Sequence, residues 1–332
     1  MKHVNVALFL PHVGCPHRCV FCDQNAITGN EGVPTPEEID ESCRIAAASP
    51  HDPVYSEIAF FGGSFTAVDR GLQETCLRAA LPWIENGQFS GVRVSTRPDA
   101  VNEEILSFLK RYRVTAIELG AQSTDDGVLE KSRRGHTRED IFRAARLIRD
   151  AGFSLGLQMM TALPGATDET DRRTAEDFIA LSPDTVRVYP TLVLEGTALA
   201  KMYKSGEYLP PDFESQLALS AELLARFTEA GIRVIRLGLH ASPSLESRLL
   251  AGAYHPAFRE KAESRLWRRK IEEALLGKVP GHYIIYIDKT AVSKATGQKR
   301  ENLVYFSAKG YDLKIRASEA PEDGEIKIKE ER

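Results

Sequence analysis

The 332-residue chain has no apolar run long enough to span a bilayer as a helix. It has no dominant charge either: 43 Lys/Arg stand against 47 Asp/Glu, a net −4, so the whole chain is not a polycation. Low-complexity tracts and long internal repeats are absent. Met1-Lys2-His3-Val4 leads straight into a strand-like run with no cleavable signal, and only five cysteines are present. These absences argue against a disulfide framework and place the expected protein in the cytoplasm. What remains, 42% hydrophobic and 27% charged residues, is the composition of an ordinary globular chain. Its length suffices for one large α/β domain with a small appendage, or for two domains.

Three of the five cysteines, Cys15, Cys19 and Cys22, fall in one short loop, Gly-Cys-Pro-His-Arg-Cys-Val-Phe-Cys. The other two, Cys43 and Cys76, sit in helical patterns and read as small core residues. Three thiolates on one loop can converge on a soft metal centre. A structural zinc site closes its shell with four protein ligands, and the one nearby candidate is His17, at a spacing unlike the usual Cys/His patterns. A cubane iron–sulfur cluster held by three cysteines keeps one iron open. Cys-x3-Cys-x2-Cys with an aromatic before the last cysteine resembles the signature of the radical S-adenosylmethionine (SAM) enzymes. That resemblance implies a [4Fe–4S] cluster held by Cys15, Cys19 and Cys22. Its open iron would chelate the amino and carboxylate groups of SAM, and one electron would cleave SAM to methionine and a 5′-deoxyadenosyl radical.

Strand-like and helix-like segments alternate six times after the N-terminus. Residues 4–11, 58–61, 92–96, 115–120, 153–159 and 185–189 read as strands, and 232–237 as a further possible one. Helical patterns lie between them; Thr35-Pro36-Glu37-Glu38 is a good helix start. Such alternation implies parallel strands with right-handed crossovers. Periodicity leaves a doubly wound sheet and a partial barrel equally open. The family resemblance implies a partial (β/α)6, TIM-like barrel.

The polar motifs sit at the C-terminal ends of the strands, where such sheets build their sites. Gly62-Gly63-Ser64 ends the second strand; by resemblance it is the segment that holds the SAM amino group, with Ser64 in place of the usual Glu. Ser95-Thr96-Arg97-Pro98-Asp99 ends the third and is similar to an element of the Elongator catalytic subunit. It implies SAM contacts from Ser95 and Arg97, the latter gripping the carboxylate in a fork; read alone, it is a turn with Asp99 capping the next helix. Gln122 at the end of the fourth strand is an implied ribose or carboxylate contact, and Gln158 on the fifth an implied contact of the ribose hydroxyls. Arg134, in Arg133-Arg134-Gly135-His136-Thr137, is a carboxylate candidate, and His136 reads as a cap for the next helix. Tyr189-Pro190-Thr191-Leu192-Val193 ends the sixth strand and resembles the same subunit; Tyr189 is the expected substrate-side residue, with a core tyrosine as the equal alternative. The resemblance covers roughly residues 4–245. No acetyltransferase-sized segment follows, so acetyl-CoA chemistry is not carried over.

Charge is unevenly spread. Residues 265–316 hold 12 Lys/Arg against 5 Asp/Glu, a local +7 that leaves −11 for the remainder. This marks the C-terminal part as a candidate for an anionic partner. After the linker Gly277-Lys278-Val279-Pro280-Gly281, the order strand–helix–Gly-turn–helix–strand resembles half of a KH RNA-binding module, whose Gly-x-x-Gly loop clamps a nucleic-acid backbone. In Gly297-Gln298-Lys299-Arg300 the second Gly is an arginine. A basic α/β cap on the barrel is the plainer reading. Beyond Ser318 the charged tail reads as frayed.

The expected division is a barrel over 1–245, a basic helical connector over 246–277 and a basic KH-like module over 278–332. The expected activity is radical SAM modification of RNA, fed by an external electron donor such as flavodoxin or ferredoxin. A small metabolite or tetrapyrrole substrate, and a non-enzymatic RNA-binding protein with a structural metal, stand as alternatives.

Overall fold

The computed structural model describes residues 5–16, 18–24, 32–318 and 326–330. His17 lies outside them. The strands are β1 (Asn5–Phe9), β2 (Glu57–Phe61), β3 (Gly91–Thr96), β4 (Val114–Gln122), β5 (Ser154–Thr161), β6 (Thr185–Pro190), β7 (Leu192–Leu194) and β8 (Arg233–Leu237). Seven of them form one sheet in the order β1-β2-β3-β4-β5-β6-β8, with every pairing parallel. Among the described residues β1 and β8 do not pair, so the sheet is open between them. The six expected strands are present, and the possible seventh joins as β8. β7 leaves this sheet and pairs antiparallel with β9 (Leu249–Gly252), an element the sequence reading did not separate.

The crossover helices are α1 (Pro36–Ala47), α2 (Arg70–Glu85), α3 (Glu103–Arg111), α4 (Asp126–Lys131), α5 (Arg138–Asp150) and α6 (Asp168–Leu181). Their starts are written in the sequence. Thr35 caps α1 in a box with Glu38, and Thr137 caps α5 in a box with Asp140. Two expected caps are displaced. Asn102, not Asp99, caps α3, because Asp99 is drawn to the Arg97 guanidinium. Thr137 takes the role expected of His136, whose ring turns inward and bonds the Ala121 carbonyl.

After β6 come α7 (Ala198–Ser205), α8 (Phe213–Glu229), α9 (Pro243–Arg248) and the long α10 (Phe258–Ala274). The main core runs from Val6 to Ala262, and a second core runs from Ile271 to Leu313. α10 feeds both: Phe258 and Ala262 enter the first, Ile271 the second. The C-terminal unit holds β10 (Gly281–Asp288), α11 (Val292–Thr296), α12 (Glu301–Ala308), β11 (Tyr311–Ser318) and β12 (Lys327–Glu330), with sheet order β11-β10-β12. β10 and β11 are parallel, and β12 is antiparallel to β10. The expected frayed tail is therefore corrected over residues 327–330, where Ile328 packs on the second core; residues 319–325 and 331–332 lie outside the described set.

The Gly297 turn lies against α10. A Cβ there would come within 2.7 Å of Ser264 Oγ, and Gly297 has φ +79. Asn302 beside it is fully buried; its amide donates to the Ser264 and Ala295 carbonyls, and its oxygen accepts from Arg268. The turn that resembles a nucleic-acid clamp is thus anchored to the connector helix through one buried amide.

Candidate functional site

Cys15, Cys19 and Cys22 follow β1 and line a cavity of about 480 Å³ on the concave side of the sheet. The loop is tied down on several sides. Val20 donates its N–H to Ser132 O at 3.2 Å, and Leu199 N–H reaches Val20 O at 2.7 Å. Asp23 pairs with Arg248 of α9 at 2.9 Å, and Gln24 Oε1 accepts from Gly63 N–H at 2.8 Å. Leu199 and Arg248, both after β6, thus tie the cysteine loop from the side away from β1 in sequence, and Gly63 and Ser132 tie it from the barrel.

Without a metal the Cys15 and Cys22 thiols are reluctant to ionise. Burial, then the neighbouring Cys19, pushes the Cys22 thiol up to about 12, and burial raises Cys15. A buried thiol becomes a thiolate when a cationic centre supplies the compensating charge. Arg134 already supplies part of it, donating from Nη1 to Cys19 Sγ at 3.0 Å. Among the described residues no group of three His, Cys, Asp or Glu side chains is placed to hold a metal ion. A cubane asks for something else, because each cysteine binds a different iron and the sulfurs stand further apart. Three cysteines on one cavity wall beside an arginine fit that group.

The strand ends form the rest of the wall. Gly62, Gly63, Ser95, Arg97, Gln122, Arg134, Gln158 and Tyr189 all line the same cavity as the cysteines. Gly63 has φ +54, and a Cβ on it would lie 2.1 Å from Val13 O, so only glycine permits this approach of two loops. Ser64 is the expected residue that does not face the cavity. It is fully buried, sharing a hydrogen bond with Thr96 Oγ1 at 2.9 Å and accepting from Arg97 N–H at 3.2 Å. It ties β2 to β3.

Arg97 also differs from expectation. Its fork is occupied by Asp99, at 3.0 and 3.1 Å, and its Nη2 donates to Arg134 O at 2.5 Å. It therefore positions the Arg134 segment. Arg134 donates to Gly120 O as well as to Cys19, while its Nε has no partner and is buried. Gln122 Oε1 is likewise buried and unpartnered, on a residue with φ +68. Two orphaned polar atoms on one cavity wall are the mark of a site built for a polar ligand.

Sequence reasoning missed the charged layer below these motifs. Glu57 pairs with Arg93 at 2.7 Å, Arg93 with Glu118 at 3.2 Å, and Glu118 with Arg187 at 2.7 Å. Arg187 also lies over the Phe61 ring, 4.9 Å from its centroid, and its guanidinium is held charged by Glu118 against the cost of burial. Arg93, Glu118 and Arg187 sit inside hydrophobic strands, and that interruption was the available signal; Glu57 opens β2.

The superfamily profile "Radical SAM superfamily" matches residues 9–178, and "Radical_SAM C-terminal domain" matches residues 183–268. The first spans just over half of the chain, and the chain belongs to the radical SAM superfamily. It is a radical SAM enzyme, and its cofactors are a [4Fe–4S] cluster and S-adenosylmethionine. The "tRNA uridine(34) acetyltransferase" of Methanocaldococcus jannaschii is 27% identical over 249 residues, 62% of this chain and 45% of that protein. The same-named protein of Dehalococcoides mccartyi is 28% identical, over 66% of this chain and 55% of its own. Human "Elongator complex protein 3" is 33% identical over 179 residues, 53% of this chain and 32% of that protein. The chain thus spans about half the length, or less, of these curated relatives. In fold it is similar to the Elp3 structure of Methanocaldococcus infernus, with TM-score 0.63, 21% identity, and coverage of 82% of this chain and 64% of that one. Among the described residues no helix is long and apolar enough to cross a membrane.

Proposed function

We propose that the substrate is RNA, with transfer RNA the leading candidate. The observation that carries this reading is the match of the barrel to relatives whose names state an action on tRNA uridine 34. The turn Gly297–Arg300 supports it. Lys299 and Arg300 both have positive φ there, at the N-terminal end of α12, on a surface separate from the barrel cavity. The division into a barrel over 1–245, a connector over 246–277 and a KH-like module over 278–332 belongs to the same reading. So do a cytoplasmic setting and an external one-electron donor such as flavodoxin or ferredoxin. The acetyl transfer in the relatives' names is not part of it.

In this reading Cys15, Cys19 and Cys22 hold the cluster, which when loaded supplies reductive cleavage of SAM to a 5′-deoxyadenosyl radical. Gly62 and Gly63 offer backbone carbonyls to an ammonium group, with Ser64 fixing their strand. Gln122 and Arg134 present their free Oε1 and Nε to polar groups of SAM. Gln158 and Ser95 complete the wall, Arg97 holds Arg134 in place, and Tyr189 faces the substrate. The elements after β6 close over the cysteine loop and restrict water.

The test is anaerobic reconstitution, reduction with SAM, and chromatography for 5′-deoxyadenosine with and without tRNA. Faster release with unmodified tRNA than with free nucleosides is the expected result. Equal affinity for tRNA before and after removal of residues 278–332 would sink the role of the C-terminal module.

A further inference from the structure

Glu57, Arg93, Glu118 and Arg187 form a chain of alternating sign on the concave face, from β2, β3 and β4 over β5 to β6. Each interior charge has an opposite neighbour. The next residue along is Arg236 of β8, the direct register partner of Arg187, and it repeats the positive sign. Arg236 is half-buried, lines the same cavity, and makes no ion pair or hydrogen bond among the described residues. Burial and the nearby Arg187 both depress its affinity for its proton. His240, exposed and also on the cavity, is held toward its neutral form by burial and by the same two arginines. The ladder stops with one cation too many, at the open edge of the sheet.

The cofactors do not remove this surplus. The cavity is lined by Arg18, Arg97, Arg134, Arg187 and Arg236 against the single carboxylate Glu118. A [4Fe–4S] core on three thiolates carries a net negative charge and SAM a net positive one, so together they cancel. Arg97 is neutralised by Asp99, and Arg134 faces the cysteines, four strands and three strands from β8 in the sheet order. Arg187 gives its Nε and Nη2 to Glu118 at 2.7 and 3.0 Å, so Arg236, its direct register partner, is the planar fork left open, and such a fork suits an oxyanion with several acceptor atoms.

We propose that the Arg187–Arg236 edge is a phosphate-binding subsite that orients the substrate, the phosphate supplying the negative charge that ends the ladder. It rests on the RNA reading for its occupant, a backbone phosphate beside the reacting nucleotide. Leu192 and Leu239 line the same cavity and give it apolar surface for a base or ribose.

The test uses the anaerobically reconstituted full chain and titrates inorganic phosphate against its thermal midpoint, at constant ionic strength with chloride as reference. A saturable rise is expected for the natural chain, since an anion that binds the folded state stabilises it by mass action. Arg236→Met is expected to weaken the apparent phosphate affinity roughly tenfold or more. Arg236→Glu completes the ladder internally: its midpoint in chloride should match or exceed that of Arg236→Met, and phosphate should not move it. An unchanged phosphate response in Arg236→Met overturns the proposal, and so does a midpoint for Arg236→Glu below that of Arg236→Met. SAM and a short uridine-containing RNA are then added separately. Displacement of the phosphate response by the RNA and not by SAM is the expected result. Displacement by SAM alone assigns Arg236 to the cofactor carboxylate and overturns the subsite. An Arg236-dependent phosphate response that RNA fails to displace leaves the subsite standing and fails the RNA reading instead.

Discussion

Arg93 in the barrel and Arg265 in the connector helix α10 are both paired cations, yet the two pairs live in different solvents. Arg93 is 7% exposed and shares Glu57 and Glu118, themselves 11% and 3% exposed. Arg265 meets Glu214 at 2.6 Å with both partners in water, at 35% and 66% exposure. The segment that stood out in the sequence as basic has part of its charge taken up locally: Arg265 by Glu214, Lys294 by Glu263, Lys309 by Glu272. The segment of unremarkable net charge keeps an unpaired arginine at its cavity edge. A local charge count therefore says little about which charge is available to a partner.

The largest expected effect separates the barrel from everything else. Cys19→Ala removes the most buried cluster thiol and the acceptor of Arg134. Iron and sulfide content should fall sharply and 5′-deoxyadenosine release should drop to background, while the secondary C-terminal core keeps its fold by circular dichroism. Retention of SAM cleavage by this variant would break the cluster assignment.

Next is Glu118→Gln, at the centre of the ladder. It strands the Arg187 guanidinium and leaves Arg93 with Glu57 alone, and breaking a buried pair costs about 3–5 kcal/mol. Urea unfolding should show a midpoint shift of that size, larger than any single charge removal in α10. A shift below about 1 kcal/mol would mean that water reaches the ladder and that the contrast between the two regions is false.

A third effect is set by pH. Asp171 is buried behind the β5 end, where its Oδ2 accepts from Ala162 N–H at 2.9 Å. Burial raises its carboxyl from 3.8 to about 7. A raised folded-state value means that the neutral form is the one the fold prefers. Its contribution is present below pH 3.8 and is lost as pH rises toward 7. Asp171→Asn keeps an acceptor for Ala162 and removes the charge, so it should gain on the order of 2 kcal/mol at pH 8 and nothing below pH 4. Denaturant midpoints at the two pH values decide it; an equal gain at both would show that the effect is packing.

How much of this was readable from the chain follows from the range of each interaction. The cysteine loop, the Thr35 cap and the six expected strands are local patterns, carried by residues within a turn or a strand of one another. Gly62–Gly63 and the strand-end motifs were legible because a parallel sheet collects its strand ends by construction. The ladder was not, since its rungs join residues 36, 25 and 69 apart in sequence. Nor was the occupation of the Arg97 fork: Asp99 is two residues away, but the choice between capping a helix and pairing with an arginine depends on burial. β12 was missed because its residues alternate Lys and Ile in a charged tail, and only the partner edge of β10 makes that alternation a strand.

The smallest effect gives the comparison its sharpest edge. Glu214→Gln removes the carboxylate that meets Arg265, by geometry as good as any rung of the ladder, 2.6 Å against 2.7 Å. Distance alone would rank the two equally. Both side chains remain in water, however, so the lost Coulomb energy is recovered by hydration, and the expected change is below about 0.5 kcal/mol. What Glu214→Gln does change is availability: Arg265 is released to the surface next to the C-terminal module. Under the RNA reading, tRNA affinity at low salt should rise slightly, about twofold, and the gain should vanish at high salt as the phosphate contribution is screened. A stability loss as large as that of Glu118→Gln would show that α10 is as dry as the barrel interior, and the two regions would then differ in sequence spacing alone.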